Sequence, residues 1–72
     1  MKLNKGDLIA IKTLEDNRKT AIIVGVYNDG DFAYCYILED GEYRLIYKKE
    51  IEFLIKENFD PEFPMDDLVS LS

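Results

Sequence analysis

The chain has 72 residues, nine Lys or Arg against fifteen Asp or Glu, and a formal net charge of −6. This length predicts a single domain, and a hydrophobic content of 47% is typical of a folded protein rather than a disordered one. The acidic balance disfavours nucleic acid and anionic membranes as partners, because binding to either draws on clustered positive charge. The absence of His removes the commonest general base and metal ligand.

The single cysteine, Cys35, excludes an intramolecular disulfide and lies in an apolar run, where we expect a buried, unreactive thiol. Residues 1–7 have no apolar stretch of the kind found in signal peptides. The longest uncharged run, residues 20–28, is too short to span a bilayer as a helix. We therefore expect a cytoplasmic protein that does not enter membranes.

The first predicted strand, Leu8–Leu14, follows a turn at Lys5-Gly6-Asp7. Ile9 and Ile11 alternate with residues that include further apolar side chains, so this strand is expected to be largely covered. The polar run 15–19 is interpreted as an exposed loop.

Three more strands are predicted at Thr20–Tyr27, Asp31–Leu38 and Glu42–Tyr47, forming an antiparallel meander. They are separated by Asn28-Asp29-Gly30 and Glu39-Asp40-Gly41. Asp-Gly between β-branched and aromatic runs is a strong hairpin signal, since Gly adopts positive φ without a Cβ clash.

Register decides which side chains share a face of this meander. Two-residue turns would set the following neighbours: Val26 by Ala33, Val24 by Cys35, Ile22 by Ile37, and Cys35 near Ile46. The opposite face would then carry Tyr27, Phe32, Ile23, Tyr34, Tyr36, Leu38, Tyr43, Leu45 and Tyr47. Longer Gly-containing loops remain an alternative, and Gly25 indicates a bulge or tight bend. Both faces are apolar in either register, so the sheet must curl onto itself or be covered.

After the meander, Lys48-Lys49-Glu50 is predicted to form a one-turn 3₁₀ element. The apolar run 51–55 fits a fifth strand by alternation, but it also fits helical spacing together with Phe59. We favour the strand, because it would close an unpaired sheet edge. Residues 56–72 contain Pro61 and Pro64 and carry a net charge of −4, which predicts an irregular acidic tail.

Five short strands, a Lys5–Ile9 opening, two tight hairpins and a 3₁₀ step before the last strand resemble an SH3-like small β-barrel over residues 5–55. The resemblance implies an all-β fold with a barrel domain at 1–55 and an acidic C-terminal tail at 56–72. It also implies binding to proteins or nucleic acid, and proteins of this kind are frequent in bacteriophage genomes and as appended modules. The chain has no Trp, so the polyproline binding of some SH3 domains is not implied.

Catalytic, metal and cofactor sites are not predicted. The lone Cys and the Ser residues have no partner base in sequence, and there is no Gly-rich phosphate loop. The acids around the hairpin tips, such as Asp29 and Asp40, are explained by turn formation and solubility, and no loop has the ligand spacing of a calcium site. We therefore expect no enzyme, no cofactor and no small-molecule substrate.

The tyrosines are the first candidate partner-binding residues: Tyr27, Tyr34, Tyr36, Tyr43 and Tyr47. Tyr offers a large contact area at low entropy cost, which favours protein recognition. Two alternatives remain. The rings could be packed in the core or under the tail, or they could stack bases, which requires Lys12, Arg44, Lys48 and Lys49 beside them.

The tail supplies the second set of candidate residues: Phe59, Phe63, Asp66, Asp67 and Leu68. Apolar residues interleaved with acids suit docking in a groove of a partner or of a second copy. Alternatively, the tail folds back on the body. The sequence thus predicts a non-enzymatic protein-protein interaction module, and the resemblance implies a small phage accessory protein. The alternative is an acidic inhibitor that mimics nucleic acid to block a host nucleic-acid-binding protein.

Overall fold

A computed structural model of the protein describes residues 2–13, 17–60 and 62. Five strands run along the chain: β1 Leu8–Ile11, β2 Lys19–Tyr27, β3 Phe32–Ile37, β4 Glu42–Tyr47 and β5 Ile51–Lys56. A tight turn with positive φ at all three of its residues, Asn28–Gly30, precedes β3, and a 3₁₀ turn, Lys48–Glu50, precedes β5. The predicted all-β class, the bounds of β4 and the 3₁₀ turn before β5 are confirmed, and the helical alternative for 51–55 is wrong. The predicted first strand, Leu8–Leu14, is too long: β1 ends at Ile11, Lys12 and Thr13 follow it outside the strand, and Leu14 is not among the described residues.

The strands form one antiparallel sheet in the order β4-β3-β2-β1-β5. Among the described residues β4 and β5 are its edges and do not pair with each other, so the sheet is open rather than the closed barrel predicted from the sequence. Closure requires strands to tilt and stagger in a consistent register. Here β1 has only four residues, and its pairing with β5 shifts register twice.

The core lies on one face of this sheet. Its fully buried members are Ile9, Ile11, Ile23, Cys35, Ile37 and Ile46, joined by smaller or less deeply buried side chains from all five strands and by Leu3. The sequence left open whether the sheet curls onto itself or is covered. No helix in the described residues covers this face, and its side chains are nearly fully buried, so we infer that the sheet curls far enough for its strands to cover one another. Each fully buried aliphatic side chain contributes about 1.5–3 kcal/mol, which makes this face the main source of stability.

The first hairpin departs from the predicted register at Gly25. Val26 lies opposite Ala33 as expected, but β2 then has one extra residue, so that Ile23 rather than Val24 lies opposite Cys35. The extra residue forms the predicted bulge.

The bulge exchanges neighbouring side chains between the two faces of β2. Ile23 enters the core, whereas Ile22 lies opposite Tyr36 on the other face. The predicted pairing of Ile22 with Ile37 and the placement of Ile23 beside the tyrosines are therefore wrong, because one inserted residue inverts a pattern of period two.

The second hairpin has a four-residue loop, residues 38–41, instead of a two-residue turn. Gly41 has a φ of 66° and donates its N–H to the Ile37 carbonyl at 2.8 Å. Cys35 consequently lies opposite Arg44 instead of near Ile46. This shift is by two residues, so the predicted faces of β4 are preserved.

Asp7 forms hydrogen bonds with segments near both ends of the described chain, at Asn4 and Asn58. Its side chain is 2% exposed and accepts the N–H groups of Asn4, at 3.1 Å, and Asn58, at 2.9 Å. Its carbonyl accepts the Ile23 N–H at 2.9 Å, and the neighbouring Gly6 carbonyl accepts that of Asp60 at the same distance. The start of the predicted tail is therefore attached to the body up to Asp60.

Candidate functional site

The aromatic residues of the meander share the face opposite the core. We call this surface the Tyr face; it comprises Tyr27, Phe32, Tyr34, Tyr36, Tyr43, Leu45 and Tyr47. Register sets the neighbours: Phe32 lies opposite both Tyr27 and Tyr47, and Tyr36 lies opposite Tyr43. Alternation along β3 and β4 thus brings all five predicted tyrosines together.

The rings form two groups. In the first, Phe32 lies 5.9 Å from both Tyr27 and Tyr47, stacked on the former and edge-on to the latter. In the second, Tyr43 stacks on Tyr34 at 5.7 Å and meets Tyr36 edge-on at 5.0 Å. These separations are those of attractive aromatic pairs, so the rings hold each other in place.

Exposure divides the Tyr face into an inner and an outer part. Tyr34, Tyr36 and Tyr43 are half-buried, and the exposed outer residues are Tyr27 at 41%, Leu45 at 43% and Tyr47 at 50%. The inner rings therefore pack within the protein, which agrees with the packing alternative given for the tyrosines in the sequence analysis. The outer residues remain accessible. Leu38, predicted to share this face, lies in the loop after β3.

Gly25 gives the Tyr27 ring its position. A Cβ at residue 25 would lie 2.9 Å from the Tyr27 hydroxyl oxygen and 3.2 Å from the ring carbon that bears it. The ring lies over the glycine in space that any side chain would occupy. The glycine that follows the unpaired residue Val24 thus also shapes the exposed edge of the Tyr face.

The predicted tail site is only partly described. Phe59 is 45% exposed, so its ring does not pack fully on the body even though Asn58 and Asp60 are hydrogen-bonded to it. Phe63, Asp66, Asp67 and Leu68 lie outside the described residues.

Positive side chains converge on the other side of β4. We call this cavity of about 600 Å³ the basic groove; among the described residues it is lined by four cationic side chains, one acidic side chain and two neutral ones: Lys12, Lys19, Arg44, Lys49, Glu50, Thr13 and Asn17. Arg44 faces away from Tyr43 and Leu45, because successive strand residues point to opposite faces. Lys48 lines a different cavity, with Lys2 and Asp29. Base stacking would require Lys12, Arg44, Lys48 and Lys49 to lie beside the tyrosines. All of these except Lys48 line one groove, but that groove is on the opposite side of β4 from the tyrosines.

Cys35 is completely buried, and burial raises the pKa of its thiol to about 12. The thiolate is the nucleophilic form, so this cysteine is held in its inert state. The expected buried, unreactive thiol is confirmed.

The acids near the hairpin tips make structural contacts. Glu39 accepts hydrogen bonds from the Thr20 N–H at 2.7 Å and hydroxyl at 2.9 Å, and Asp40 pairs with Lys19 at 2.8 Å. Burial favours the neutral form of Glu39, but hydrogen bonds from Thr20 outweigh it and lower the pKa of this carboxyl. Among residues 2–13, 17–60 and 62, no three His, Cys, Asp or Glu side chains cluster so as to hold a metal ion.

None of the helical segments in the described part of the chain is long and apolar enough to cross a membrane. The open five-stranded antiparallel sheet and its aromatic surface define the protein as a small β domain. Comparison with protein-family models, with curated proteins and with solved structures gives no match.

Proposed function

We propose that the protein is a non-enzymatic protein-binding module that recognises a partner protein through the Tyr face. The observation that carries the proposal is the exposure of Tyr27, Leu45 and Tyr47, each above two-fifths, at the edge of an ordered aromatic cluster. Aromatic side chains with few rotatable bonds, next to one another on a sheet, provide large contact area with little further loss of entropy.

The fold that presents this surface is, in our proposal, SH3-like. Its support is the strand order β4-β3-β2-β1-β5, the return of β5 to pair with β1, and the 3₁₀ turn between β4 and β5. In this arrangement β4 is an edge strand, which pairs with β3 on one side and with no other described strand. A partner strand could therefore pair with β4 while its side chains contact Leu45 and Tyr47.

Photo-crosslinking tests the proposal. A photoreactive phenylalanine analogue at position 47 is compared with the same analogue at position 55, because Tyr47 and Ile55 have similar exposure, at 50% and 46%, and lie on opposite edge strands. We expect a discrete protein adduct at 47, in cells that express the chain, and none of that mass at 55. Leu45→Ser should reduce the adduct, since Leu45 belongs to the same exposed edge.

Equal crosslinking at both positions, or none at 47, would contradict the proposal. The salt dependence of the adduct adds a second criterion. An aromatic contact changes little between low and high salt, whereas docking by the acidic tail as a nucleic-acid mimic would weaken steeply. That alternative depends on Asp66 and Asp67, which lie outside the described residues.

A further inference from the structure

The basic groove is assembled from segments that are far apart in the sequence. Lys12 follows β1, Arg44 is in the middle of β4, and Lys49 belongs to the 3₁₀ turn before β5. The Lys12 N–H donates to the Glu50 carbonyl at 2.8 Å, which fixes the backbone of Lys12 against that turn. The three side chains therefore originate from backbone that the fold already holds in place.

The wall formed by residues 13 and 17 is also braced. The Thr13 hydroxyl donates to the Asn17 carbonyl at 2.6 Å and accepts the Asn17 N–H at 3.1 Å. These bonds hold the two ends of the loop together at the mouth of the groove. A ligand would meet side chains carried on backbone that is already held in place, although the side chains of Lys12, Arg44 and Lys49 are themselves exposed.

The charges of the groove are only partly compensated. Lys19 is paired with Asp40, and the Glu50 carboxylate accepts the Tyr47 N–H at 2.7 Å. Within the described ranges, no salt bridge involves Lys12, Arg44 or Lys49. Three cations thus converge in a protein whose net charge is −6. Their mutual repulsion is unfavourable, and a bound anion would remove it.

We propose that the basic groove binds a ligand carrying adjacent phosphate groups, of the size of a nucleoside diphosphate. Three cations match the charge of a diphosphate at neutral pH, with Arg44 suited to bidentate contact and the lysines acting as point charges. The volume of about 600 Å³ lies in the range of small-molecule sites. None of the described residues that line the groove is aromatic, so in this proposal the phosphates rather than a stacked base carry the binding.

This site is separate from the Tyr face. Arg44 and its neighbours Tyr43 and Leu45 point to opposite sides of β4. A failure of phosphate binding would therefore leave the proposed protein-binding surface untouched, and the two proposals are tested by different variants.

Titration of the ¹⁵N-labelled full chain with pyrophosphate, ADP and adenosine tests the inference. We expect saturable shifts of the Lys12, Thr13, Arg44 and Lys49 amide signals with pyrophosphate and ADP, and none with adenosine. Shifts with ADP alone would overturn the inference that adjacent phosphates suffice.

The 3₁₀ turn supplies a matched pair of variants. Lys49→Gln should weaken pyrophosphate binding about tenfold or more, as expected for the loss of a charge-assisted contact. Lys48→Gln removes the same charge from the adjacent residue, which lines a different cavity, and should leave binding within about twofold of the unmodified chain. Equal losses in the two variants would overturn the site, since they would reflect overall charge alone.

Asp66 and Asp67 are the acidic groups of the chain whose competition with an anionic ligand is tested. A full-length Asp66→Asn, Asp67→Asn variant with an unchanged circular dichroism spectrum is titrated in parallel. Saturable binding in either chain supports the site, and tighter binding in the variant identifies the tail as a competitor. Absence of saturable pyrophosphate binding in both chains would overturn the proposal.

Discussion

Asp7 is the single residue on which several segments of the structure depend. It follows Gly6 in a turn that the sequence marks clearly, but the sequence does not indicate that its carboxylate is buried. The two N–H groups that satisfy this carboxylate come from Asn4, three residues away, and from Asn58, at the far end of the described chain. A buried carboxylate is tolerated only with such partners, so its role becomes visible only when β5 has returned beside β1.

Replacement of this carboxylate should be costly. Asp7→Asn keeps the shape but turns an NH₂ group toward one of the two N–H donors, leaving a buried donor unsatisfied. We expect a loss of about 1–3 kcal/mol in the free energy of unfolding, measured by urea denaturation. Asp29→Asn is the matched control, because it removes the same charge at an exposed turn position whose positive φ Asn tolerates. Equal stabilities of the two variants would contradict the role given to Asp7.

At the scale of elements, the bulge in β2 has the largest effect. Gly25 indicates in the sequence that β2 has a bulge or a bend. Which of the two forms depends on the packing between β2 and β3. The inserted residue places Ile23 in the core and sets Tyr27 over Gly25 at the exposed edge of the Tyr face. The bulge thus determines both that Ile23 is buried in the core and that the Tyr27 ring is exposed at the edge of the Tyr face.

A double-mutant cycle tests this coupling. Gly25→Ala forces the Tyr27 ring to move, because the new methyl group would lie 2.9 Å from its hydroxyl oxygen. In a Tyr27→Ala background the clash is absent, and the alanine gains the usual advantage over glycine within a strand. We expect Gly25→Ala to be less favourable by about 1 kcal/mol in the unmodified chain than in that background. Additive effects in thermal or urea unfolding would show that the ring does not occupy this space.

At the scale of the whole molecule, the open curled sheet separates two surfaces. The core lies inside the curl, with the Tyr face on the outer side of β3 and β4 and the basic groove reached from the core side of β4. Because the sheet is not closed by hydrogen bonds between β4 and β5, each edge strand has one side without a backbone partner in the described structure.

Amide hydrogen exchange distinguishes this open sheet from a closed barrel. In β2 and β3, which are paired on both sides, we expect slow exchange at nearly every position. The outward-pointing amides of β5 and that of Leu45 in β4 should exchange faster than their inward-pointing neighbours, whereas the Tyr47 N–H is bonded to the Glu50 carboxylate and should exchange more slowly. Uniform protection along both edge strands would show that the edges pair and that the barrel is closed.

The sequence by itself determined the β class, the number of strands, the antiparallel meander of β2, β3 and β4, the 3₁₀ turn before β5, and the grouping of the five tyrosines on one face. These features follow from local signals: alternation with period two, β-branched and aromatic composition, and turn residues. The observed register of the second hairpin differs from the predicted register by two residues. Because side chains alternate with a period of two, the predicted assignment of β4 side chains to the two faces is correct although the predicted loop length is wrong.

Only the tertiary structure decided the inversion of Ile22 and Ile23, the burial of Asp7, the open edges of the sheet and the convergence of Lys12, Arg44 and Lys49. Each depends on contacts between residues distant in sequence. A one-residue bulge is decided by how two strands pack, and a groove exists only where separate elements meet. The local sequence pattern therefore determined which side chains of a strand share a face. Packing between distant segments determined which of those faces are buried and which are exposed.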